Sequence, residues 1–323
     1  MAFTNNWDPS RLGQINKAGD AKALFLKKFA GEVITAFNSA SVMMDKQVVR
    51  TIESGKSAQF PVTGQVSAGY HTAGESLLET DNGYLQKVGA NEKIIYIDDM
   101  LVSPVFIANI DEAMNHYDVR SIYTKEVGYA LAKQMDENLH QKLVMAARES
   151  ATITGGNGGT VQDAGATVET DGSVLAGELF TAAESLDNNE VPAEDRYCIV
   201  RPAQYYNLVQ ATDTINRDWG GAGAYSEGKV FRVAGINIVK STRLPSTDLS
   251  SAVTGDNNDY TADFSDTIAS VFHKSAVGTV KLLDLATESE YQIANQGTLI
   301  VSKYAMGHGT LRPESSVEIT KAV

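Results

Sequence analysis

The sequence predicts a mixed α+β chain organised along one long helix. Residues 118–150 keep an apolar stripe at helical spacing with no proline to interrupt it. Strand-like runs gather before that helix, between residues 47 and 103, and again at the C-terminal end. Between the helix and those last strands, helical and strand-like segments alternate as an α/β unit does.

Taken in order, residues 1–20 are polar and glycine-containing and read as a flexible arm. AKALFLKKFAGEVITAFNSA then reads as a short amphipathic helix, with Leu24, Phe25, Phe29, Val33, Ile34 and Phe37 on one side. QVVRTIE, SAQFPV and EKIIYIDDMLV are strand-like, and the last two flank a polar excursion, TGQVSAGYHTAGESLLETDNGYLQKVGAN. A two-stranded ribbon with so little to bury is marginal alone and needs a surface to lie on, which points to assembly.

Asp118 is placed to cap the long helix. Its stripe consists of Val119, Ile122, Tyr123, Val127, Ala130, Leu131, Met135, Leu139, Leu143 and Ala146, and the opposite face carries charge. At 1.5 Å per residue this is a rod on the order of 50 Å, better suited to a spine than to a pocket wall. ITGGNGGTVQDAGATVETDGS follows as a glycine-rich linker and internal boundary. A helix near LAGELFTAAESLD, the strand RYCIV, a helix begun by Pro202 and the strand KVFRVAGINIVKS come next. Residues 248–266 hold five aspartates and no basic residue, but without EF-hand spacing they read as a solvated loop. TIASVFH, TLIVSKYAMG and SSVEIT close the chain as strands.

Composition narrows the function. With 323 residues, 43% of them hydrophobic, the chain can bury a large core. No apolar run approaches the ~20 residues of a membrane span, and MAFTNNWDPSR lacks the features of a signal peptide, so synthesis in a cytoplasm is expected. A net charge of −13 argues against a sequence-reading nucleic-acid binder. Residues 1–60 hold eight Lys or Arg against five Asp or Glu, a net of +3 that leaves −16 for the rest. Cys198, the only cysteine, excludes intrachain disulfides and reads as a small buried hydrophobe.

Catalytic patterns are missing. SGKS at Ser54–Ser57 resembles a phosphate loop, but Arg50 stands where that motif needs glycine. The histidines at 71, 116, 140, 273 and 308 are scattered, with no HExxH. GGNGG lacks GxGxxG spacing, and no GxSxG elbow is present. The chain is therefore expected to be no enzyme and to carry no cofactor and no metal.

Five dispersed stretches point to a family. ALFLK with GEVITAF, SGKSAQFPV at Ser54–Val62, EAMNHYDVRS at Glu112–Ser121, HKSAVGTVKLLDLA at His273–Ala286 and KYAMGHGTLRPE at Lys303–Glu314 resemble, in the same order, the major capsid protein of T7-like short-tailed bacteriophages. That resemblance implies the Hong Kong 97-type capsid fold: an N-terminal arm and short helix (1–46), an extended β-hairpin loop (47–103), a peripheral domain with spine helix and linker (104–172), an axial α/β domain (173–269) and C-terminal strands completing both domains (270–323). The orphan ribbon would then lie on a neighbouring subunit. Tyr70 and Leu85 at its tip are the apolar anchors expected there, and Leu139 and Leu143 the packing residues of the spine on which assembly depends.

The implied partners follow. Copies of the chain would form pentamers and hexamers of an icosahedral head, by ring-closing head-to-tail contacts. A scaffolding protein, a portal and an optional accessory capsid protein are expected, with packaged double-stranded DNA touched non-specifically on the inner surface and no membrane. The place of the chain would be the virion, after synthesis in the host bacterial cytoplasm. A soluble α/β enzyme and a receptor or tail-fibre module fit less well, for want of convergent polar groups and of repeats. The closest rival is a decoration or scaffolding protein, although scaffolds are typically helical and charged and this chain is mixed.

Overall fold

The computed structural model describes residues 41–78, 88–114, 119–211, 232–251 and 257–321. The arm and short helix expected over residues 1–40, the cap Asp118 and the ribbon-tip residue Leu85 lie outside them.

Four strands precede the long helix: β1 (Val48–Thr51), β2 (Ser57–Thr63), β3 (Ala90–Tyr96) and β4 (Leu101–Ala108). β2 and β3 pair antiparallel from Ser57↔Tyr96 to Thr63↔Ala90, forming the expected ribbon. EKIIYIDDMLV was expected to be one strand but is broken between β3 and β4. Asp98, in the break, is buried and held by side chains of a distant loop, a tertiary demand that no local pattern announces.

α1 (Asn109–Met114) leads to α2 (Val119–Arg148), the 30-residue spine. In its first half the stripe expectation holds for Val127, Leu131 and Met135, which are buried. Ala130, assigned to the same stripe, is exposed. In the second half a charged outer face is not found: Asp136, His140 and Lys142 are buried beside Leu139, Leu143, Val144, Ala146 and Ala147. Charges buried on a helix must be satisfied by groups inside the protein, while Glu137, Gln141 and Arg148 keep part of this half open to solvent.

β5 (Thr160–Asp163), α3 (Gly172–Asn188), β6 (Arg196–Val200), α4 (Pro202–Gln210), β7 (Arg232–Val233), β8 (Ile236–Lys240), β9 (Thr267–His273), β10 (Val277–Gln292), β11 (Gly297–Thr310) and β12 (Ser316–Thr320) follow. A six-stranded sheet has the order β5-β12-β9-β6-β8-β7. α3 starts where the Asp171 carboxylate accepts the Ser173 N–H at 2.8 Å, and α4 starts on Pro202, as expected of a residue with no N–H to leave unpaired. α3 buries Leu175, Leu179, Ala182 and Leu186, one face at helical spacing, in a core shared with Leu208, Ile236, Val271 and Val317.

Two readings change here. The glycine-rich stretch is more than a linker, because β5 lies in it and runs parallel to β12, whose partner residues are some 157 positions away (Val317↔Thr160). KVFRVAGINIVKS is a hairpin, not one strand: Ala234 and Gly235 both take positive φ, 51° and 78°, and reverse the chain between β7 and β8.

The chain divides into two compact units. One includes Asp99–Met135 and Leu283–Met306, where β11 pairs antiparallel with β4. The other includes Val42–Asp98, Asp136–Leu282 and Gly307–Val323, with the ribbon, the six-stranded sheet and β1, which runs parallel to the start of β10.

Candidate assembly surface

The ribbon is rooted in its own subunit and bare beyond. At the root, Ala58 and Ile95 face each other across the strands and are 6% and 1% exposed. The expectation that the whole ribbon lacks apolar partners is thus corrected at its base, where burial of this pair supplies the anchorage. Asn258 accepts the Tyr96 N–H at 3.3 Å and donates to the Tyr96 carbonyl at 2.8 Å, extending β3 by a side chain. Asn257 donates to Ile97 O at 2.7 Å. Asp98 closes the staple, receiving Asn258 N–H groups at 2.7 and 3.0 Å and the Tyr260 hydroxyl at 2.5 Å. Burial pushes the Asp98 carboxyl above its usual range, while those donors pull the other way.

Past Gly64 the picture inverts. Every residue from Gln65 to Leu78 is exposed, among them Val66, Tyr70, Leu77 and Leu78. Val88 on the returning side is exposed too. An exposed apolar series on a segment so little covered marks a candidate interaction surface. Leu139 and Leu143 stand elsewhere: both are 0% exposed inside α2 and can serve assembly only through the stability of the subunit.

A second apolar surface was not read from the sequence. The outer half of β10 is exposed on both faces, carrying Leu283, Leu285 and Tyr291, with Ile293 in the turn beyond it. The segment alternates no better than a solvated strand, so only its lack of cover identifies it.

The buried charges form a polar interior that sequence reasoning also missed. Asp136 accepts the Val42 N–H at 2.8 Å and pairs with Arg243 at 2.5 Å. His140 Nδ1 meets the Asp136 carbonyl, and its Nε2 has no partner among the described residues. Thr279 bridges Gln47 and His308 Nδ1, the latter at 2.7 Å. Lys142 donates to the Asp259 carbonyl and sits 5.0 Å from the Tyr260 ring centre. Burial lowers the Lys142 amine and both imidazoles, His308 to about 3, which leaves the His308 ring neutral at pH 7. The Asp136/His140 spacing of one helical turn beside Met135 and Leu139 was the available signal.

Among the described residues no group of His, Cys, Asp or Glu could hold a metal ion, and none of their helices is long and apolar enough to cross a membrane. Cys198 is buried, which pushes its thiol up and leaves it inert. Three aspartates of the acidic loop cap their own turns, Asp248, Asp259 and Asp263 each accepting the N–H two residues on. Of SGKS, Ser54, Gly55 and Lys56 sit in the exposed turn between β1 and β2 and Ser57 opens β2.

Known proteins agree with this geometry. The profile of the family described as Gp10A-like major capsid protein matches residues 59–320. The major capsid protein of Escherichia phage T7 is 36% identical over 321 residues, covering 93% of this chain and 92% of that protein. The capsid structure of the cyanophage P-SCSP1u superposes with a TM-score of 0.83 at 48% identity, over 98% of this chain and 99% of that one. The mature capsid of bacteriophage PhiM1 superposes at 0.77 with 19% identity, over 96% and 97%, a likeness of fold. The fold is of the Hong Kong 97 type, mixed α+β, and the place of the chain is the virion. The alternative of a decoration or scaffolding protein is set aside: the chain belongs to the Gp10A-like family of major capsid proteins.

Proposed function

We propose that the ribbon is the element by which copies of this capsid subunit join, its tip lying on a neighbour while its root stays in the subunit's own core. The observation that carries this is the contrast between the buried Ala58–Ile95 pair and the unbroken exposure of Gln65–Leu78 with its apolar side chains. Tyr70 is the apolar anchor on the described side of the tip, and Leu85 the one expected opposite it. On this reading residues 47–103 are the extended loop, 104–172 the peripheral domain and 173–269 the axial domain, with 1–46 as arm and 270–323 completing both domains.

The copies close as pentamers and hexamers of an icosahedral head around double-stranded DNA, made in the host cytoplasm with a scaffolding protein and a portal, and with an accessory capsid protein where one exists. Its work is structural and not catalytic. The net of +3 over residues 1–60 against −16 elsewhere favours the arm as the genome-facing part, although screening by salt keeps so small a charge a weak attractor.

The test replaces residues 65–88 by a two-residue Asn-Gly turn closing β2 on β3. Thermal unfolding of the subunit should be nearly unchanged, while electron microscopy should find no closed particles. Normal shells from this variant would overturn the proposal. A chain that no longer folds would place the loop in its own subunit's core.

A further inference from the structure

The ribbon leaves its subunit over the loop that follows α2, and three separate contacts meet at that point. Lys93 of β3 pairs with Glu149 at 2.6 Å, and both side chains are only partly covered. Asn91, also on β3, donates its amide to the Thr152 carbonyl at 2.5 Å. Gly64 and Gly89 stand opposite each other where the strands end, joined by the Gly64 N–H to the Gly89 carbonyl at 2.7 Å. The Ile153 side chain lies on this glycine pair: a Cβ on Gly89 would be 3.2 Å from Ile153 Cγ2, and one on Gly64 would be 3.3 Å from it and 3.2 Å from Gly89 O. A side chain at either position would crowd Ile153, which would have to give by a few tenths of an ångström.

The surroundings leave room on both sides. A cleft of about 280 Å³ opens between Val62–Gln65, Ile153 and the Asn189–Pro192 turn. Another, of about 350 Å³, opens beside Asn91–Lys93 and Glu149–Thr152. Glu149 is held from behind by Thr310, which donates to its other oxygen at 2.7 Å, so it is the fixed half of the ion pair. A part-exposed ion pair contributes little by itself, as does one amide hydrogen bond at the surface. Together they hold a direction without locking it.

We propose that Gly64, Gly89 and Ile153 form a fulcrum and that the Lys93–Glu149 pair with Asn91–Thr152 forms a releasable catch, so that the angle at which the ribbon reaches its partner, a second copy of this chain, is set within the subunit. This rests on the reading of the ribbon as the joining element. Lys93, Asn91 and Glu149 are positioning residues, acting through contacts within the subunit. The catch is electrostatic, so it loosens as salt rises, whereas the Ile153 contact does not.

The experiment reads the angle in the unassembled subunit. Spin labels at Tyr70→Cys and Phe180→Cys, both exposed positions, report the distance from tip to α3, and buried Cys198 stays unlabelled. The parent should give one narrow distribution that broadens at least twofold in Lys93→Gln and narrows again in the exchanged pair Lys93→Glu with Glu149→Lys. Glu149→Gln, which keeps the acceptor for Thr310, should broaden it likewise, with the thermal midpoint moved by no more than a few degrees. An unchanged distribution in Lys93→Gln and Glu149→Gln overturns the catch. Particle formation is scored separately in the Lys93 and Glu149 variants with Tyr70 intact. Broadened labels with malformed or sparse shells support the catch acting in assembly; broadened labels with normal shells overturn its role in setting how the ribbon reaches its partner, while the joining role itself is decided by the loop replacement.

Discussion

Arg148, at the end of the spine helix, grips Glu318 of β12 with two parallel hydrogen bonds, Nε to Oε2 at 2.6 Å and Nη2 to Oε1 at 2.7 Å. The Glu318 side chain is fully buried and also receives the Thr267 hydroxyl at 2.6 Å, while about a third of the Arg148 side chain faces solvent. The pair holds the Arg148 guanidinium charged, above its ordinary range. Helix, β9 and β12 meet on one carboxylate.

Arg148→Ala strands that carboxylate. The expected cost is about 3 kcal/mol, at the low end for a broken buried pair because Arg148 is partly solvated. Glu318→Gln, which keeps the shape and loses the charge, should cost less. Denaturant unfolding of the subunit measures both, and a loss below about 1 kcal/mol for Arg148→Ala would show the pair to be incidental.

Leu139→Ala and Leu143→Ala should each cost ~2–5 kcal/mol, since both side chains are fully buried and leave cavities. Ala130→Ser, on the same helix but exposed, should stay within ~0.5 kcal/mol. Equal effects at the three positions would mean that the helix is turned differently from the structure.

Stability should fall between pH 6.5 and about 3 through the buried imidazoles. Burial holds His308 at about 3 against an ordinary 6.5 and lowers His140 as well. The unfolded chain therefore binds more protons throughout that window, so the stabilisation is present above 6.5 and drains as pH falls. Lys142 reinforces the shift at His308, and Asp136 opposes it. At pH 5 His308 costs about 2 kcal/mol, from 1.36 kcal/mol per unit. His308→Gln should flatten the midpoint-versus-pH curve from 6.5 to 5, a range above most carboxylate titration; an unaltered slope would assign the acid sensitivity elsewhere.

Gly307→Ala should disrupt the root of the ribbon. Its Cβ would run into the Tyr96 carbonyl, backbone that cannot rotate away and that Asn258 already holds. A cost of about 3 kcal/mol or an insoluble subunit is expected, as for severe overpacking. Gly128→Ala, where the added carbon meets nothing within 4 Å, is the control and should be neutral or slightly stabilising. Soluble, normally stable Gly307→Ala would contradict the close approach.

Local patterns were legible wherever the cause was local. Thirty residues of α2, the strand RYCIV at Arg196–Val200, the Pro202 start of α4 and the β2/β3 ribbon follow from periodicity, capping chemistry and the lack of anything to bury between strands. The family was legible too, from five short stretches in order. The break after Tyr96, the β7–β8 reversal and the strand β5 were not legible, because each depends on a partner far along the chain or on a turn whose non-glycine member Ala234 adopts positive φ.

The sequence by itself determined α2, α3, α4, the strand β6 and a ribbon whose far end has little of its own to bury, since propensity and hydrophobic period act between residues a few positions apart. Tertiary structure alone decided that Asp136, His140, Lys142 and Glu318 lie inside, where the three ionised groups are met by groups from more than 50 residues away, Arg243 for Asp136, Asp259 for Lys142 and Arg148 for Glu318. It also decided that the ribbon has a buried root and an exposed tip, because burial is a property of what the rest of the chain covers and not of the residue itself.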